Sequence, residues 1–419
     1  MTNAALPVGW KKTTLDDVAE VQTGIAKGKA INGTSATLPY LRVANVQDGY
    51  VDLSVVKEIT LKPSEVKRYS LRKGDVLFTE GGDFDKLGRG TVWNGQIEPC
   101  LHQNHVFAVR PNPKRLLPEF LALQAASHYG RRYFQMSSKQ STNLASINST
   151  QLKQFPVLLP PLPEQRKIAE ILRAWDEAIE KLEVLRGVKL GRRRALTNAL
   201  VFGTRRLEHF RTTDGANRYR WFTLPASWSS KPIGALAREV SERNGDGEEH
   251  DVLSCSKYDG FVRSLEYFKK QVFSSDLTGY KKIWRGDFGF PSNHVEEGSI
   301  GLQNLTDIGI VSPIYTVFRF DPKRVDANYA FAVLKTELYR HIFEVSTSAS
   351  VDRRGSLRWS EFSKLPFPVP PLAEQKTIAQ VLQTLSVDLG ALDTEIECLT
   401  RQKRGLMQKL LTGQWRVAV

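Results

Sequence analysis

The sequence predicts an α+β protein in which two globular segments alternate with two long helices as an internal repeat. PVLLPPLPEQRKIAEIL at 156–172 returns as PFPVPPLAEQKTIAQVL at 366–382, which is 210 residues later. Each copy opens a long run with apolar residues at helical spacing. The segments before the two copies also share short strand-like runs and turn signals. A repeat of this length indicates duplicated architecture.

The repeated stretches are predicted to form two long helices that pair with each other as a coiled coil. In the second copy, apolar residues follow 4-3 spacing from Ile378 to Leu410, with one break at Lys403. This spacing is a heptad seam. Gly203 and Gly413 are predicted to end the two helices. The residues predicted to pair the helices or to dock a partner subunit are Glu164, Gln165, Ile168, Leu172, Trp175, Ile179, Leu182, Glu374, Gln375, Ile378, Leu382, Leu385, Leu389 and Leu392.

The first helix departs from this seam in its second half. Arg186, Lys189 and Arg193 occupy seam positions there. A neighbouring stripe could take over the packing, and it consists of Leu185, Val188, Ala195 and Ala199. The three cations could serve either a structural role or partner docking.

The globular segments are predicted to contain short strands followed by one helical stretch each. The predicted strands are 40–46, 49–53, 74–78, 89–93 and 104–110, then 251–256, 260–268, 281–290 and 313–320, and the helical stretches are 117–135 and 326–344. Asp48-Gly49 and Asp259-Gly260 are turn signals at matching points. The predicted boundaries are 1–155 for the first domain, 156–203 for the first helical region, 204–223 for an exposed connector, 224–365 for the second domain, 366–414 for the second helical region and 415–419 for a tail.

Composition favours a polyanionic partner. The 419 residues carry a formal net charge of +14, and hydrophobic content is 41%. A basic balance of this size is typical of nucleic-acid binding. The three cysteines, Cys100, Cys255 and Cys398, are far apart, so we expect a reduced, cytoplasmic chain. The N-terminus has no apolar signal core, and no run reaches membrane-spanning length.

No catalytic signature is present in the sequence. It contains no phosphate-binding glycine loop, no dinucleotide fingerprint, no nucleophile elbow and no cysteine spacing for zinc. His102 and His105 would point to opposite faces of a strand, and they lack a third ligand. We therefore expect neither a metal nor a cofactor bound by this chain.

Polar residues in glycine-rich loops supply the chemistry of base recognition. Asn and Gln can read adenine edges and Arg can read guanine, whereas Lys mostly holds phosphates. The candidate DNA-binding residues are Lys27, Lys29, Asn32, Arg42, Asn45, Gln47, Lys86, Arg89, His102, Gln103, Asn104, Lys139 and Asn143 in the first segment, and Lys257, Tyr258, Asn293, His294, Arg353 and Arg354 in the second. Turns favour the same residue types, so a solvated loop is the alternative for each. Lys67-Arg68 and Arg131-Arg132 fit DNA contact and a solvated face equally well.

These motifs together resemble the specificity subunit of Type I restriction–modification enzymes. LPPLPEQRKIAEIL and VPPLAEQKTIAQVL are similar to the start of the family's two helical regions. LPYLRVANVQDGYVDL, EGGDFDKLGRGTVWNG and HQNHVFAVR resemble one kind of target-recognition domain. VLSCSKYDGFV and KKIWRGDFGF resemble a second kind. The resemblance covers essentially the whole chain.

The resemblance implies a non-catalytic DNA-binding subunit that reads a bipartite target. Each globular domain would read one half-site. The two long helices would pack antiparallel, related by a pseudo-two-fold axis, and would fix the distance between the halves. Two modification subunits would dock on the chain and bring S-adenosylmethionine and adenine methylation, and two restriction subunits could join them. The alternatives are a subunit that serves methylation alone, without a nuclease partner, and a non-specific scaffold. An enzyme that itself cuts or methylates DNA is disfavoured because no catalytic motif is visible.

Overall fold

The structure is a computed structural model, and it describes residues 6–26, 34–82, 84, 87–88, 90–140, 145–212, 215–245, 248–257, 260–347 and 356–418. The chain divides into two compact units. The first unit comprises Met1–Glu183 together with Thr394–Val419, and the second comprises Val184–Asp393. Each long helix is therefore shared between the units. No helix of the described part is long and apolar enough to cross a membrane.

The described residues of the first unit form twelve named strands, four short helices and the first half of a long helix. Its strands are β1 (Lys11–Thr14), β2 (Ala19–Thr23), β3 (Ala36–Leu41), β4 (Lys57–Leu61), β5 (Val76–Thr79), β6 (Gly81–Gly82), β7 (Gly90–Val92), β8 (Leu101–His102), β9 (Val106–Pro111), β10 (Lys139–Gln140), β11 (Ala145–Ser146) and β12 (Pro156–Leu159). Its helices are α1 (Pro63–Tyr69), α2 (Pro118–Ala126), α3 (His128–Ser137), α4 (Ser149–Lys153) and the start of α5 (Leu162–Val201).

The second unit repeats this order with its own sequence. Its strands are β13 (Ala216–Arg218), β14 (Thr223–Pro225), β15 (Ser229–Pro232), β16 (Ala237–Val240), β17 (Asp251–Ser256), β18 (Gly260–Arg263), β19 (Lys281–Trp284), β20 (Phe288–Pro291), β21 (Gly301–Leu302), β22 (Ile308–Val311), β23 (Tyr315–Phe320) and β24 (Pro366–Val369). Its helices are α6 (Ser264–Phe268), α7 (Ala327–Leu334), α8 (Glu337–Ser346), α9 (Trp359–Phe362) and the start of α10 (Leu372–Leu411).

The two units share one sheet topology. The central antiparallel sheet has the order β2-β9-β5-β7 in the first unit and β16-β23-β20-β21 in the second. A second sheet has the order β4-β3-β8 in one and β18-β17-β22-β19 in the other. In each of these second sheets an antiparallel hairpin partner lies on one side and a parallel strand on the other. The predicted internal repeat and α+β fold are confirmed.

Each core joins a globular domain to the start of a long helix. In the first unit, Phe120, Phe134 and Phe155 are fully buried in the same cluster as Ile168 and Leu172. In the second, the corresponding cluster joins aromatic residues of the central sheet to the apolar residues at the start of α10. The start of each long helix is therefore part of a domain core, and hydrophobic burial fixes it there.

The helices pair in antiparallel fashion within each unit. In the first unit, Leu172 near the start of α5 shares a core with Leu410 near the end of α10. Asp176, further along α5, forms an ion pair with Lys403, which lies earlier in α10. Residue numbers therefore rise along one helix where they fall along the other, so the two helices run antiparallel, as the resemblance implied. Lys403 is the seam break in the second helix, and its partner explains how a cation is accommodated there.

The cations of the first helix have partners of the same kind in the second unit. Arg186 pairs with Asp393, and Lys189 Nζ lies 3.5 Å from a carboxylate oxygen of Asp388. These two seam positions are therefore filled by ion pairs between the helices. Arg193 is exposed.

The prediction that a neighbouring apolar stripe replaces the seam is wrong for three of its four members. Leu185 is 42% exposed and Val188 is 65% exposed, and Ala195 is also exposed. Because the ion pairs keep Arg186 and Lys189 on the facing side, the apolar stripe turns outward. Ala199 alone is half-buried.

Several predicted elements differ in the structure. The predicted helix 117–135 is broken because the Ser127 hydroxyl accepts a hydrogen bond from the Gly130 amide and starts a new helix. Thr336 breaks 326–344 in the same way, and such side chains compete with the helical backbone. The stretch 49–53 forms only one bridge, Val46 with Val51, and 260–268 is a strand that turns into α6.

The connector is partly buried, against expectation. Phe222 is 7% exposed and stacks on Phe202 with 5.6 Å between ring centroids. Strand β13 pairs with β14, so the connector takes part in a small hairpin within the second unit. Tyr219 and Trp221 also pack against the core that contains Phe222. The polar composition of 204–223 concealed these aromatic contacts.

Candidate nucleic-acid interface

A buried carboxylate fastens the start of α5 to the first unit. Glu164 is 1% exposed, and it accepts a hydrogen bond of 3.1 Å from the Trp10 indole nitrogen. The Arg416 guanidinium donates to both of its oxygens, at 2.6 and 2.9 Å. Arg416 also donates to the Val8 carbonyl. One acid therefore ties together the N-terminal strand region, the long helix and the C-terminal tail.

The second unit holds the same arrangement. Glu374 is 1% exposed, and it accepts a hydrogen bond of 3.0 Å from the Trp228 indole nitrogen. Arg206 donates to its two oxygens at 2.9 and 2.7 Å. Arg206 and Arg416 are 210 residues apart, so the repeat extends three residues past the glycines that end the helices. Gly203 and Gly413 have φ of +68° and +74°, which confirms them as the stops.

The glutamines of the repeated motif are equally structural. Gln165 Oε1 accepts from the Leu117 amide, and its Nε2 donates to the carbonyls of Arg115 and Pro160. Gln375 makes the matching bonds in the second unit. All four acid and amide side chains are buried, so the docking alternative of the prediction is wrong for Glu164, Gln165, Glu374 and Gln375.

The remaining residues predicted for helix pairing line the helical interfaces. Those that are buried are Ile168, Leu172, Ile378, Leu382, Leu389 and Leu392. Those that are half-buried are Trp175, Ile179, Leu182 and Leu385. Burial of this kind confirms packing, because a heptad seam stabilises helices by removing apolar side chains from water.

In the first unit, backbone hydrogen bonds join several of the predicted DNA-binding loops into one strip. The Ile25 amide bonds to the His102 carbonyl at 2.8 Å, and the Asn104 amide bonds back to Ile25 at 3.0 Å. The Gln103 amide bonds to the Leu41 carbonyl at 2.9 Å, which places Arg42 next in line. We call residues 24–25, 41–42, 80–82, 102–105, 139–140 and 145–146 the loop ribbon.

The other end of the loop ribbon is a small sheet. The Glu80 amide bonds to the His105 carbonyl, and Gly81 pairs with Ser146 across strands. Ser146 in turn pairs with Lys139, which is exposed. The His105 imidazole lies against the Glu80 carboxylate. Polar groups from four separate stretches thus share one surface.

A glycine makes the closest approach in the loop ribbon possible. An ideal Cβ at residue 24 would lie 2.1 Å from the His102 carbonyl oxygen and 2.4 Å from that of Gln103. No side chain fits there without moving the backbone. Gly24 was not among the predicted site residues, although its position beside a polar loop was visible in TGIAKGK.

Two residues predicted to contact DNA are instead structural. Asn45 is 3% exposed, and its amide group is fully engaged with the backbone of Arg42, Asp52 and Val55. His102 is fully buried, with Nδ1 donating to the Val106 carbonyl at 2.7 Å. Burial lowers the pKa of His102, so the ring is held neutral. Neither side chain can reach a base from these positions, which corrects the prediction.

The other described candidates of the first unit have more accessible side chains. Arg42, Gln103 and Asn104 are half-buried in the loop ribbon. Gln47 is also half-buried, and its Nε2 donates to the Ala44 carbonyl within its own turn. Arg42, Gln47, Gln103, Asn104 and Lys139 therefore remain the described candidates for DNA contact in this unit.

In the second unit, Lys335 links two of the loops that carry predicted DNA-binding residues. The Lys335 ammonium donates to the carbonyls of Lys257 and Gly298, at 2.8 and 2.9 Å. This joins the turn after β17 to the loop that holds His294. His294 and Lys257 are exposed, and Asn293 is half-buried.

The frame of this surface matches that of the loop ribbon. The Leu357 amide donates to the Ser292 carbonyl, and in the first unit the Ile147 amide donates to the Glu80 carbonyl in the same way. The Ser292 amide donates to the Ile314 carbonyl, which corresponds to the bond from the Glu80 amide to the His105 carbonyl.

One cluster in this surface has metal-ligating atoms. Side-chain atoms of His294, Glu296 and Glu297 lie within 4.8 Å of one another. His294 and Glu297 are about half exposed and 3.5 Å apart. Exposed groups of this kind are ordinary surface ion pairs.

Nine predicted DNA-binding residues lie outside the described residues: Lys27, Lys29, Asn32, Lys86, Arg89, Asn143, Tyr258, Arg353 and Arg354. Four described residues that stand near these stretches in the sequence are part of the surfaces described above. Ile25, Gly82 and Ala145 belong to the loop ribbon, and Leu357 bonds to Ser292 in the matching frame. For these nine residues DNA contact stays a prediction.

Two matched α+β units, each with a buried acid at a helix start and a polar loop surface, define a class of duplicated recognition subunits. The family model described as "Type I restriction modification DNA specificity domain" matches residues 7–189 and 283–397. The chain belongs to this family, and it is a specificity subunit of the type I class.

Relatives and solved structures agree with this assignment. The chain is 25% identical over 419 residues to a Methanocaldococcus jannaschii protein described as the MjaX type I restriction enzyme specificity subunit, covering 98% of this chain and 95% of that protein. It is 31% identical over 188 residues to the StySPI specificity subunit of Salmonella potsdam, covering 43% and 40%. The HsdS subunit of Thermoanaerobacter tengcongensis superposes with a TM-score of 0.50 at 17% identity, covering 99% of each chain. The type I S subunit of M. genitalium superposes with a TM-score of 0.54 at 14% identity, covering 98% and 97%.

Proposed function

We propose that each unit reads one half of a split DNA target. The observation that carries the proposal is the repeated frame: one hydrogen-bonding pattern holds the loop ribbon in the first unit and the Ser292 surface in the second. The loops held by this frame differ in sequence, so the two half-sites need not match. A rigid frame with variable polar loops suits base readout, because base contacts need exact placement of donors and acceptors.

Methylation mapping tests whether each unit reads a different half-site. The wild-type chain and a Gln103→Ala/Asn104→Ala variant would each be expressed with a modification subunit, and methylated adenines mapped by long-read sequencing. We expect the variant to relax or lose one half of the motif and to keep the other. A matched Asn293→Ala/His294→Ala variant should affect the opposite half. If both variants alter the same half-site, the proposal is wrong.

We further propose that the chain is not itself a catalyst and works in the cytoplasm with partner subunits. Two modification subunits would supply S-adenosylmethionine and adenine methylation, and two restriction subunits could join them. A docking surface is supported by the outward apolar stripe on α5, where Val184, Leu185 and Val188 are 63%, 42% and 65% exposed. Exposed apolar side chains at helical spacing are typical of a surface that meets a partner. A Val184→Asp/Val188→Asp variant should lose modification-subunit binding while its melting temperature is unchanged.

The long helices would set the number of unread base pairs. Leu182 and Leu392 are repeat equivalents, so matched four-residue insertions after both would lengthen the pair by about 6 Å. That length is close to two steps of B-DNA. We expect methylation mapping to show a longer spacer between unchanged half-sites. An altered half-site would refute the proposal that helix length sets the spacer.

A non-specific scaffold is the second candidate, since the basic charge alone predicts some DNA affinity. Equal affinity for target and random duplexes, measured with the modification subunits present, would favour it.

A further inference from the structure

A short basic helix lies beside the loop ribbon. Helix α1 follows β4, and its Val66 and Tyr69 pack against a cluster that contains Ile25 and Leu101. Ile25 is the residue whose backbone bonds to His102 and Asn104. The inner face of α1 therefore rests on the same small core that supports the recognition loops.

The outer face of α1 carries cations. Lys67 and Arg68 are exposed, and Lys62 is exposed just before the helix. Within the described residues, no carboxylate forms an ion pair with Lys67 or Arg68. The Arg68 guanidinium lies 5.3 Å from the centroid of the Tyr69 ring, which directs it along the surface. Two adjacent cations are thus presented at the border of the loop ribbon.

The second unit repeats this combination at the same point in its topology. Strand β18, like β4, is the antiparallel neighbour of a strand that also has a parallel partner. Helix α6 follows β18 and is succeeded by exposed Lys269 and Lys270. Tyr267 and Phe268 are 49% and 42% exposed beside them. PSEVKRY and SLEYFKK have little sequence in common, yet both place two cations next to an aromatic side chain.

We propose that α1 in the first unit, and α6 with Lys269 and Lys270 in the second, are DNA-backbone contacts that hold the duplex against the recognition loops without reading its sequence. This inference rests on the proposed function. Lysine and arginine at the edge of a recognition surface bind phosphates, which fix register and orientation. The exposed rings beside them add apolar contact with sugars or bases.

The test is salt-dependent binding to a random-sequence duplex, because phosphate contacts need no target. The full-length wild type is compared with Lys67→Ala/Arg68→Ala and with Lys269→Ala/Lys270→Ala. Each lost phosphate contact lowers the slope of log K against log salt by about 0.9. We therefore expect each double variant to lose close to two units of slope, with affinity about 10- to 60-fold lower at 0.1 M salt.

The matched control is Lys11→Ala/Lys12→Ala, which removes the same charge from the first unit. Both lysines are exposed on β1, which pairs with β12 where the domain meets the long helix. The control should keep the wild-type slope, and an equal fall in slope would show that net charge alone is measured and would overturn the proposal. The proposal would also be overturned if the α1 and α6 variants kept the wild-type slope of log K against log salt. This holds even if these variants lose binding to the modification subunit. Failure of the wild type to bind any duplex would overturn the proposed function itself.

Methylation mapping adds a second readout. The α1 and α6 variants should methylate the wild-type motif at a lower rate, because phosphate contacts carry no sequence information. A changed motif would show that these residues read bases and would overturn the inference.

Discussion

Removing Arg206 should destabilise the second unit through one buried charge. Glu374 is 1% exposed and the Arg206 side chain is 9% exposed. An Arg206→Ala substitution therefore leaves a carboxylate in the core that, among the described residues, keeps the Trp228 indole as its side-chain hydrogen-bond donor. Breaking a buried pair by removing one partner costs about 3–5 kcal/mol. Water entering the vacated space favours the lower end, about 3 kcal/mol.

That loss is large enough to measure directly. The second unit spans Val184–Asp393, and domains of about this size lose roughly 2–4 °C of melting temperature per kcal/mol. We therefore expect its transition to fall by about 6–12 °C in differential scanning calorimetry. Hydrogen exchange with mass spectrometry assigns the transition to the unit, since two units need not unfold together.

Two further variants separate charge burial from lost packing. Adding Glu374→Gln to Arg206→Ala removes the stranded charge and keeps an acceptor for the indole, so the double variant should be more stable than the single by about 1–2 kcal/mol. Arg416→Ala breaks the equivalent bonds in the first unit, but Arg416 is 44% exposed and its loss should shift the melting temperature less. A double variant no more stable than the single, or an equal shift from Arg416→Ala, would refute the reasoning.

Two other predictions concern the loop ribbon. Burial holds the pKa of His102 below its usual value, so below about pH 6.5 the unfolded chain binds a proton that the folded ring does not. The free energy of unfolding of the first unit should therefore fall with decreasing pH, by up to about 1.4 kcal/mol per pH unit. A His102→Gln variant should flatten this dependence in urea titrations, whereas the exposed His128→Gln control should not. Gly24→Ala should displace the loop ribbon and cost about 1–3 kcal/mol, with loss of one half-site in methylation maps. Gly82→Ala is its control, since nothing lies within 4 Å of the added methyl, and equal effects of the two would contradict the argument.

The repeat made most of the fold predictable. Heptad spacing located both 40-residue helices, because a long apolar period leaves little choice, and the two glycines placed their C-terminal ends to within two residues. Ser127 and Thr336 were missed as helix starts because the residues around them are helical in composition. At each position, one side-chain hydroxyl accepts a hydrogen bond from a backbone amide, and this bond breaks the predicted helix in two.

The functional surface was only partly predictable. Polar loops were the right places to look, but Asn45 and His102 show that residue type does not separate a base contact from a core hydrogen bond. That distinction depends on burial, which local sequence does not encode. The buried acids had a signal that was overlooked: Arg206 and Arg416 repeat at the same offset as the helices, and LPVGW and LPASW supply the tryptophans.

The division of the chain has a consequence for synthesis on the ribosome. The second unit is continuous, from Val184 to Asp393, whereas the first needs residues from both ends of the chain. Translation runs at about 5–20 residues per second, so the first domain emerges roughly 10–40 s before Thr394 follows it. During that interval Glu164 lacks Arg416, and Ile168 lacks the leucines of α10. The half of the protein that is made first is therefore the half that is finished last.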